Sequence, residues 1–269
     1  MAIPVAMIGL GLVFILMAAA ALLLIKGKMS SIASLLLLAA TILGPGLALG
    51  GLPDPVPPLQ QIPCGIVRGT VNPVPAAGLA VLLLASLLAG RLFCGYACPL
   101  GAVQELLARP VKKKMKVNMK AARIVRLSVL AALIAAGAFA VFYPAIDPMA
   151  VFSLRPNWYQ LALFAGIAVA AVFVYRPWCT LLCPFGALAE LAARFSPFRL
   201  RADARCNDCG ACDRICPAGQ SVRKGSLTDC YYCGRCIRAC PKKAIYAAHG
   251  ARTTGDARPP IEQPLNRQV

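Results

Sequence analysis

Twelve of the thirteen cysteines fall into two patterns whose spacing points to metal–sulfur chemistry. Eight form two polar runs near the C-terminus, Cys206-x2-Cys209-x2-Cys212-x3-Cys216-Pro217 and Cys230-x2-Cys233-x2-Cys236-x3-Cys240-Pro241. Four more stand where apolar stretches end, as Cys94-x3-Cys98-Pro99 and Cys179-x3-Cys183-Pro184, and Cys64 stands apart. Thiolates this close together are placed to share one metal centre, which argues against a secreted disulfide scaffold. Zinc is the competing metal for the two long runs, but its sites pair cysteines in twos.

In two-cluster bacterial ferredoxins the fourth cysteine of each run ligates the other cluster. The spacing therefore predicts Cys206, Cys209, Cys212 and Cys240 on one [4Fe–4S] cubane, and Cys230, Cys233, Cys236 and Cys216 on a second. Gly210, Ala211 and Gly234 between the ligands leave room for backbone amides to approach the sulfurs. A segment of this size cannot build a large core, so loss of the clusters should unfold it.

The four remaining paired cysteines belong to an internal repeat. Arg91–Arg109 and Arg176–Arg194 are offset by 85 residues and match at 10 of 19 positions, among them both cysteines, the proline, Gly101/Gly186, Glu105/Glu190 and the closing arginines. Paired halves in membrane proteins often place the functional site at their junction. Each copy reads as a spanning helix, the cysteine pair, then a short amphipathic helix begun by proline, a favourable first residue. Together Cys94, Cys98, Cys179 and Cys183 supply the four thiolates of one shared iron–sulfur cluster; redox-active thiols and a partner-binding motif are the rival readings. Arg91 and Arg176 stand where they would help keep such thiols ionised.

These cysteines need elements to hold them, and composition says which. The 269 residues are 59% hydrophobic and 14% charged, far from a soluble domain. Five stretches, about 3–25, 31–51, 76–95, 124–145 and 158–178, are apolar enough for membrane helices. The first is read as a retained helix, because no Lys or Arg precedes Lys26. The connecting segments are alternately basic and neutral: Lys26 and Lys28, then 52–75 with Asp54 and Arg68, then nine basic residues from Arg91 to Arg126. The 144–157 segment is neutral and the chain after Arg176 basic again. The pattern predicts the N-terminus outside and the C-terminus inside, and it accounts for the +18 net charge without nucleic acid. The run Lys112, Lys113, Lys114, Lys116, Lys120 reads as a solvated topology signal, with anionic lipid heads the alternative.

The expected fold is thus an α-helical membrane protein of about five spans with an internal repeat, followed by a small α+β ferredoxin-like domain. The divisions are 1–52, a helix pair; 53–75, a proline-rich outer loop expected to be extended; 76–200, the repeated unit; 201–247, the two-cluster domain; and 248–269, a tail expected to lack order. Cys64 reads as a packed or free thiol. With His249 the only histidine, a bis-histidine haem within the chain is excluded.

RLFCGYACPLG, PWCTLLCPFG and the two ferredoxin runs, over residues 60–247, make the chain resemble the NapH family of ferredoxin-type membrane quinol dehydrogenase subunits, relatives of the membrane and iron–sulfur parts of NosR and CcoG. The resemblance implies a bacterial inner-membrane subunit of an oxidoreductase that takes electrons from the quinone pool. They would pass to periplasmic or membrane partners, ferredoxin-like or cytochrome subunits. It departs from the family in a first helix that looks added, and in lacking the flavin domain of NosR and the C-terminal domain of CcoG. Quinol oxidation needs a proton acceptor, for which Glu105, Glu190 and Asp147 are the candidates; for Glu105 and Glu190 the plainer role is pairing with Arg109 and Arg194. A redox assembly factor of CcoG type is the alternative function. Both cysteine sets are expected on the inner face, as a relay along its surface.

Overall fold

The computed structural model describes residues 2–250 except Val71, Lys112, Lys113, Lys116, Lys224 and Ser226. The tail from Ala251 and the lysines 112, 113 and 116, weighed above as a lipid contact, lie outside the described residues.

The chain begins with two apolar helices, α1 (Ala2–Ile25) and α2 (Ser31–Thr41). Ser30 caps α2, its hydroxyl accepting from the Ala33 amide at 3.0 Å. The helix then widens into π turns over Ile42–Ala48 around Pro45, which has no amide hydrogen to give the α ladder. Met7–Ile25 and Ser31–Ala48 are long and apolar enough to cross a bilayer.

The three later stretches expected to span are helical but shorter: α4 (Pro73–Ala89), α7 (Met119–Gly137) and α9 (Trp158–Phe173). Tertiary packing trims them. At Gly90, where α4 ends, an added Cβ would lie 2.5 Å from the Tyr232 hydroxyl. After α9 the backbone extends at Val174, which bridges to Met115. Large apolar side chains such as Ile15, Leu36, Leu84, Ile124 and Val169 remain exposed along these helices.

The proline-rich segment is a correction. Expected to be extended, it folds as the helix α3 (Pro57–Arg68), with Pro57 and Pro58 in its first turn and Gly69 as a left-handed terminator. Proline costs nothing in a first turn, where the amides have no helical partner. The helix is held by packing against α7 and by Gln60, whose Oε1 accepts from the Phe142 and Tyr143 amides at 3.0 and 2.8 Å. Cys64 is buried on it. The 138–157 connection is likewise folded, into α8 (Tyr143–Ile146) and a 3-10 turn over Pro148–Ser153.

The repeat appears as α5 (Leu92–Tyr96) and α6 (Pro99–Leu107), then a π turn over Trp178–Leu182 and α10 (Pro184–Ala193). Cys98 and Cys183 cap α6 and α10 in extended conformation, with proline next. Phe93 and Phe185 meet edge to face at 5.6 Å between the copies, each burial contributing about 1.5–3 kcal/mol.

In the C-terminal segment β1 (Arg199–Ala202) pairs antiparallel with β2 (Ile245–Ala248), Arg199 opposite Ala248, enclosing α11 (Ala211–Ile215) and α12 (Arg235–Ala239). It seats on the bundle, β2 against α1 and the Arg238 Nη1 donating to Met29 O at 3.3 Å.

Candidate functional site

The two repeat copies meet at their cysteines. Cys94 and Cys179 are buried in one apolar core, with Cys98 and Cys183 packed against it. Cys98 lies within electrostatic reach of the other three. Two sulfurs already receive donors: the Gly186 amide reaches Cys183 Sγ at 3.4 Å, and Gln104 Nε2 reaches Cys179 Sγ at 3.5 Å. The copies close tightly because Gly101 and Gly186 have no side chain; a Cβ would stand 2.6 Å from Cys94 O and 3.1 Å from Cys179 O, respectively.

Each copy's leading arginine reaches into the other copy. Arg176 donates to Cys94 O at 2.5 Å and to Gly95 O at 3.1 Å, while Arg91 donates to Cys179 O at 3.3 Å. The arginines expected to attend the thiols thus clamp the backbone that carries them. Buried guanidinium groups require charged partners. Arg91 pairs with Asp229; Arg126, which sequence reasoning passed over, pairs with Asp229 at 2.9 Å and Glu190 at 2.6 Å; Arg176 pairs with Glu105 at 3.2 Å.

Glu105 and Glu190 are therefore occupied as ion-pair partners. Glu105 accepts from Tyr175 Oη at 2.7 Å and Arg235 at 2.7 Å, and Arg109 stands 3.9 Å away. Burial pushes its carboxyl up, but Arg176, Arg235, the tyrosine and Arg109 outweigh burial and hold it below the usual carboxylate range. Glu190 meets Arg123 at 2.5 Å and Arg194 at 3.4 Å as well as Arg126. Asp147 sits elsewhere, at the other end of the bundle. It accepts from the Met149 amide at 2.8 Å and neighbours Asp54 and Tyr143.

The eight C-terminal cysteines line two cavities. Cys216, Cys230, Cys233 and Cys236 surround one, with Tyr175, Tyr231 and Arg235 in its wall. Cys206, Cys209, Cys212 and Cys240 surround the other. In each cavity the fourth cysteine comes from the other run. Equivalent amides serve both, Gln220 N to Cys216 Sγ and Ala244 N to Cys240 Sγ, each at 3.3 Å. Asp208 and Tyr232, at matching positions, both take a left-handed φ of 54°.

Tyr231 joins the two cysteine sets. The Arg91 and Arg176 guanidinium groups stand 4.5 and 4.7 Å from its ring centre, within cation–π range. Gly95 presses on it, since an added Cβ would collide with Tyr231 O. The four cysteines of the repeat lie in the same apolar core as Tyr231 and Tyr143, and Tyr143 is within electrostatic reach of Cys183.

A family model described as a 4Fe-4S binding domain matches residues 71–118 and again 156–202, one match on each repeat copy. A second model of the same description matches 226–246. Among curated proteins, the chain is 28% identical to the putative electron transport protein YccM of Escherichia coli, over 63% of this chain and 54% of that one. It is 31% identical to the methylamine utilization ferredoxin-type protein MauN of Methylorubrum extorquens, over 62% of each. With the ferredoxin-type protein NapH of Escherichia coli it shares 27% identity, over 66% of this chain and 64% of that one. The chain is a homologue of the ferredoxin-type NapH and MauN proteins. It spans between about half and two thirds of the length of these relatives. No solved structure matches it significantly.

An iron–sulfur reading of this NapH-like chain suits the residues present. All thirteen cysteines are free thiols, and the sulfurs face apolar walls and backbone amides, the surroundings that hold thiolate ligands and tune clusters. Among the described residues no three ligating side chains converge closely enough for a single metal ion. Sequence reasoning missed Asp229 and Tyr231. The only signal for Asp229 was one acid preceding a run in a strongly basic chain.

Proposed function

We propose that the chain is a membrane-bound iron–sulfur electron-transfer subunit that draws electrons from quinol and passes them to a partner redox chain. The observation that carries this reading is Tyr231, held between Arg91 and Arg176. One residue from the segment between Cys230 and Cys233 rests on the two arginines that grip the backbones of Cys94 and Cys179. On this reading the two cysteine sets would form one continuous path rather than two modules on a linker.

Cys206, Cys209, Cys212 and Cys240 would hold one [4Fe–4S] cluster; Cys216, Cys230, Cys233 and Cys236 a second; and Cys94, Cys98, Cys179 and Cys183 a third. When bound, such clusters supply one-electron carriers. The chain's residues fix their spacing: the arginine clamp holds the four-cysteine backbone, Tyr231 and Tyr175 fill the space toward the second set, and apolar packing keeps water away. The exposed edge near Cys209 is where a soluble or membrane partner would dock.

The helices carrying exposed apolar residues would lie in a bacterial inner membrane as a multi-pass bundle. The Lys26–Ser30 turn and the ferredoxin-like domain would be cytoplasmic, with Asp54 and Asp147 toward the outside. The terminal partner would be a periplasmic or membrane subunit of ferredoxin-like or cytochrome type.

Anaerobic addition of a short-chain quinol to the purified, cluster-loaded chain tests the reading. Bleaching of the visible cluster absorbance by quinol is the expected result. Bleaching by dithionite but by no quinol of suitable potential would overturn it.

A further inference from the structure

Among the described residues five buried side-chain polar atoms have no hydrogen-bond partner, and three of them gather at the end of the bundle away from the ferredoxin-like domain: Asp54 Oδ2, Gln60 Nε2 and Tyr143 Oη. A buried polar atom without a partner costs about 1–3 kcal/mol, so a cluster of such atoms on neighbouring elements marks a place where a polar ligand would be stabilised. Asp54 immediately precedes α3, Gln60 lies on α3, and Tyr143 opens α8, which packs against it. The Gln60 amide is bound to the Tyr143 backbone. Asp147 completes the group, within side-chain hydrogen-bonding reach of both Asp54 and Tyr143, which leaves Gln60 Nε2 as the atom with no protein partner at hand. The backbone already fixes both carboxylates: Asp54 Oδ1 accepts from Val56 N at 2.9 Å, and Asp147 Oδ1 from Met149 N at 2.8 Å.

We infer that Asp54, Gln60, Tyr143 and Asp147 bind the head group of a quinol, an aromatic ring with two hydroxyls. This rests on the quinol reading above and gives it a place. The groups gathered there match that ligand: the free Gln60 amide N–H and the Tyr143 phenol can donate to a ring oxygen, and a carboxyl can accept from a ring hydroxyl. Burial, followed by the neighbouring Asp147 carboxylate, pushes the Asp54 carboxyl well above its usual range. Access suits a ligand dissolved in lipid, since Ile66 and Val67 on α3, and Phe139 and Phe142 in the segment leading into α8, present large apolar side chains outward. Tyr143 also stands within electrostatic reach of Cys183. Glu105 and Glu190, the other carboxylates considered for this task, are saturated by arginine at the opposite end.

The test is photolabelling of the full, cluster-loaded chain in detergent with an azido-quinone, alongside equilibrium binding of the parent quinone. Labelling within residues 54–67 and 139–150 is expected, with binding about tenfold weaker in Asp54→Asn and in Tyr143→Phe, roughly one hydrogen bond's share each. Iron content and cluster EPR spectra should not change. Tyr143→Phe removes a single atom, so it remains informative if Asp54→Asn fails to fold. Labelling confined to other segments, or unchanged affinity in both folded variants, overturns the site and assigns the three atoms to buried water. If quinol still bleaches the clusters in that case, the electron-transfer reading survives without this site. If wild-type protein neither binds quinone nor responds to quinol, both fail together.

Discussion

Arg176 of the second repeat copy donates to the carbonyl oxygen of Cys94 in the first, at 2.5 Å. Arg91 of the first copy answers with a bond to Cys179 O at 3.3 Å. Each half thus helps hold the cysteine backbone of the other. The exchange explains why the repeat begins at an arginine, and why that arginine is nearly solvent-free in both copies.

Arg176→Lys keeps a charge but cannot span two carbonyls and a carboxylate, because an ammonium lacks the guanidinium fork. At least one buried acceptor would be left without its donor, at about 1–3 kcal/mol. Thermal unfolding in detergent should show a large loss of stability, and iron retained by the four-cysteine site should fall more than iron in the ferredoxin-like domain.

Close approach at Gly101 gives a sharper steric test. In Gly101→Ala the new Cβ would press on Cys94 O at 2.6 Å, so α6 must shift. Gly166→Ala adds its methyl to open space on α9 and serves as the control. Overpacking costs about 1–3 kcal/mol, and only Gly101→Ala should lower iron content.

The crossed cavities predict paired phenotypes. Cys240→Ser should perturb the same EPR signal as Cys209→Ser, although the two positions lie in different runs. Cys216→Ser should instead resemble Cys233→Ser. Uncrossed pairing of phenotypes would contradict the cavity assignment.

Glu105 supplies the pH dependence. Arg176, Arg235, Tyr175 and Arg109 hold its carboxyl below the usual range against the opposing effect of burial. A depressed carboxyl contributes stability that is fully present above its unfolded value, about 4.3, and is lost as pH falls through the lower folded value. Hydrogen exchange at α12 and β2 amides should be faster in Glu105→Gln than in wild type at pH 7. That difference should narrow below about pH 4.

The cysteine patterns were legible because ligand spacing is a local property of the chain, and the repeat was legible because it is written twice. Helix lengths were not. Apolar composition ran on past Gly90 and Val174, but docking of Tyr232 and the Met115 bridge stopped the helices there. The segment around Pro63 was read as extended because its prolines outweighed the apolar face that packs on α7. Asp54, Gln60 and Tyr143 could not be grouped from sequence: the first two lie in a segment read as extended, and the third is far along the chain. Tyr231 gave no signal, since a tyrosine between two cysteines reads as filler until Arg91 and Arg176 are seen against it.

The central claim is that Cys94, Cys98, Cys179 and Cys183 hold a cluster continuous with the two below it. Iron and acid-labile sulfide counts on purified chain test this most directly. Three cubanes give about twelve irons per chain, falling by about four in Cys94→Ser or Cys179→Ser while the ferredoxin-like EPR signals persist. About eight irons in wild type, unchanged by either substitution, would contradict the account.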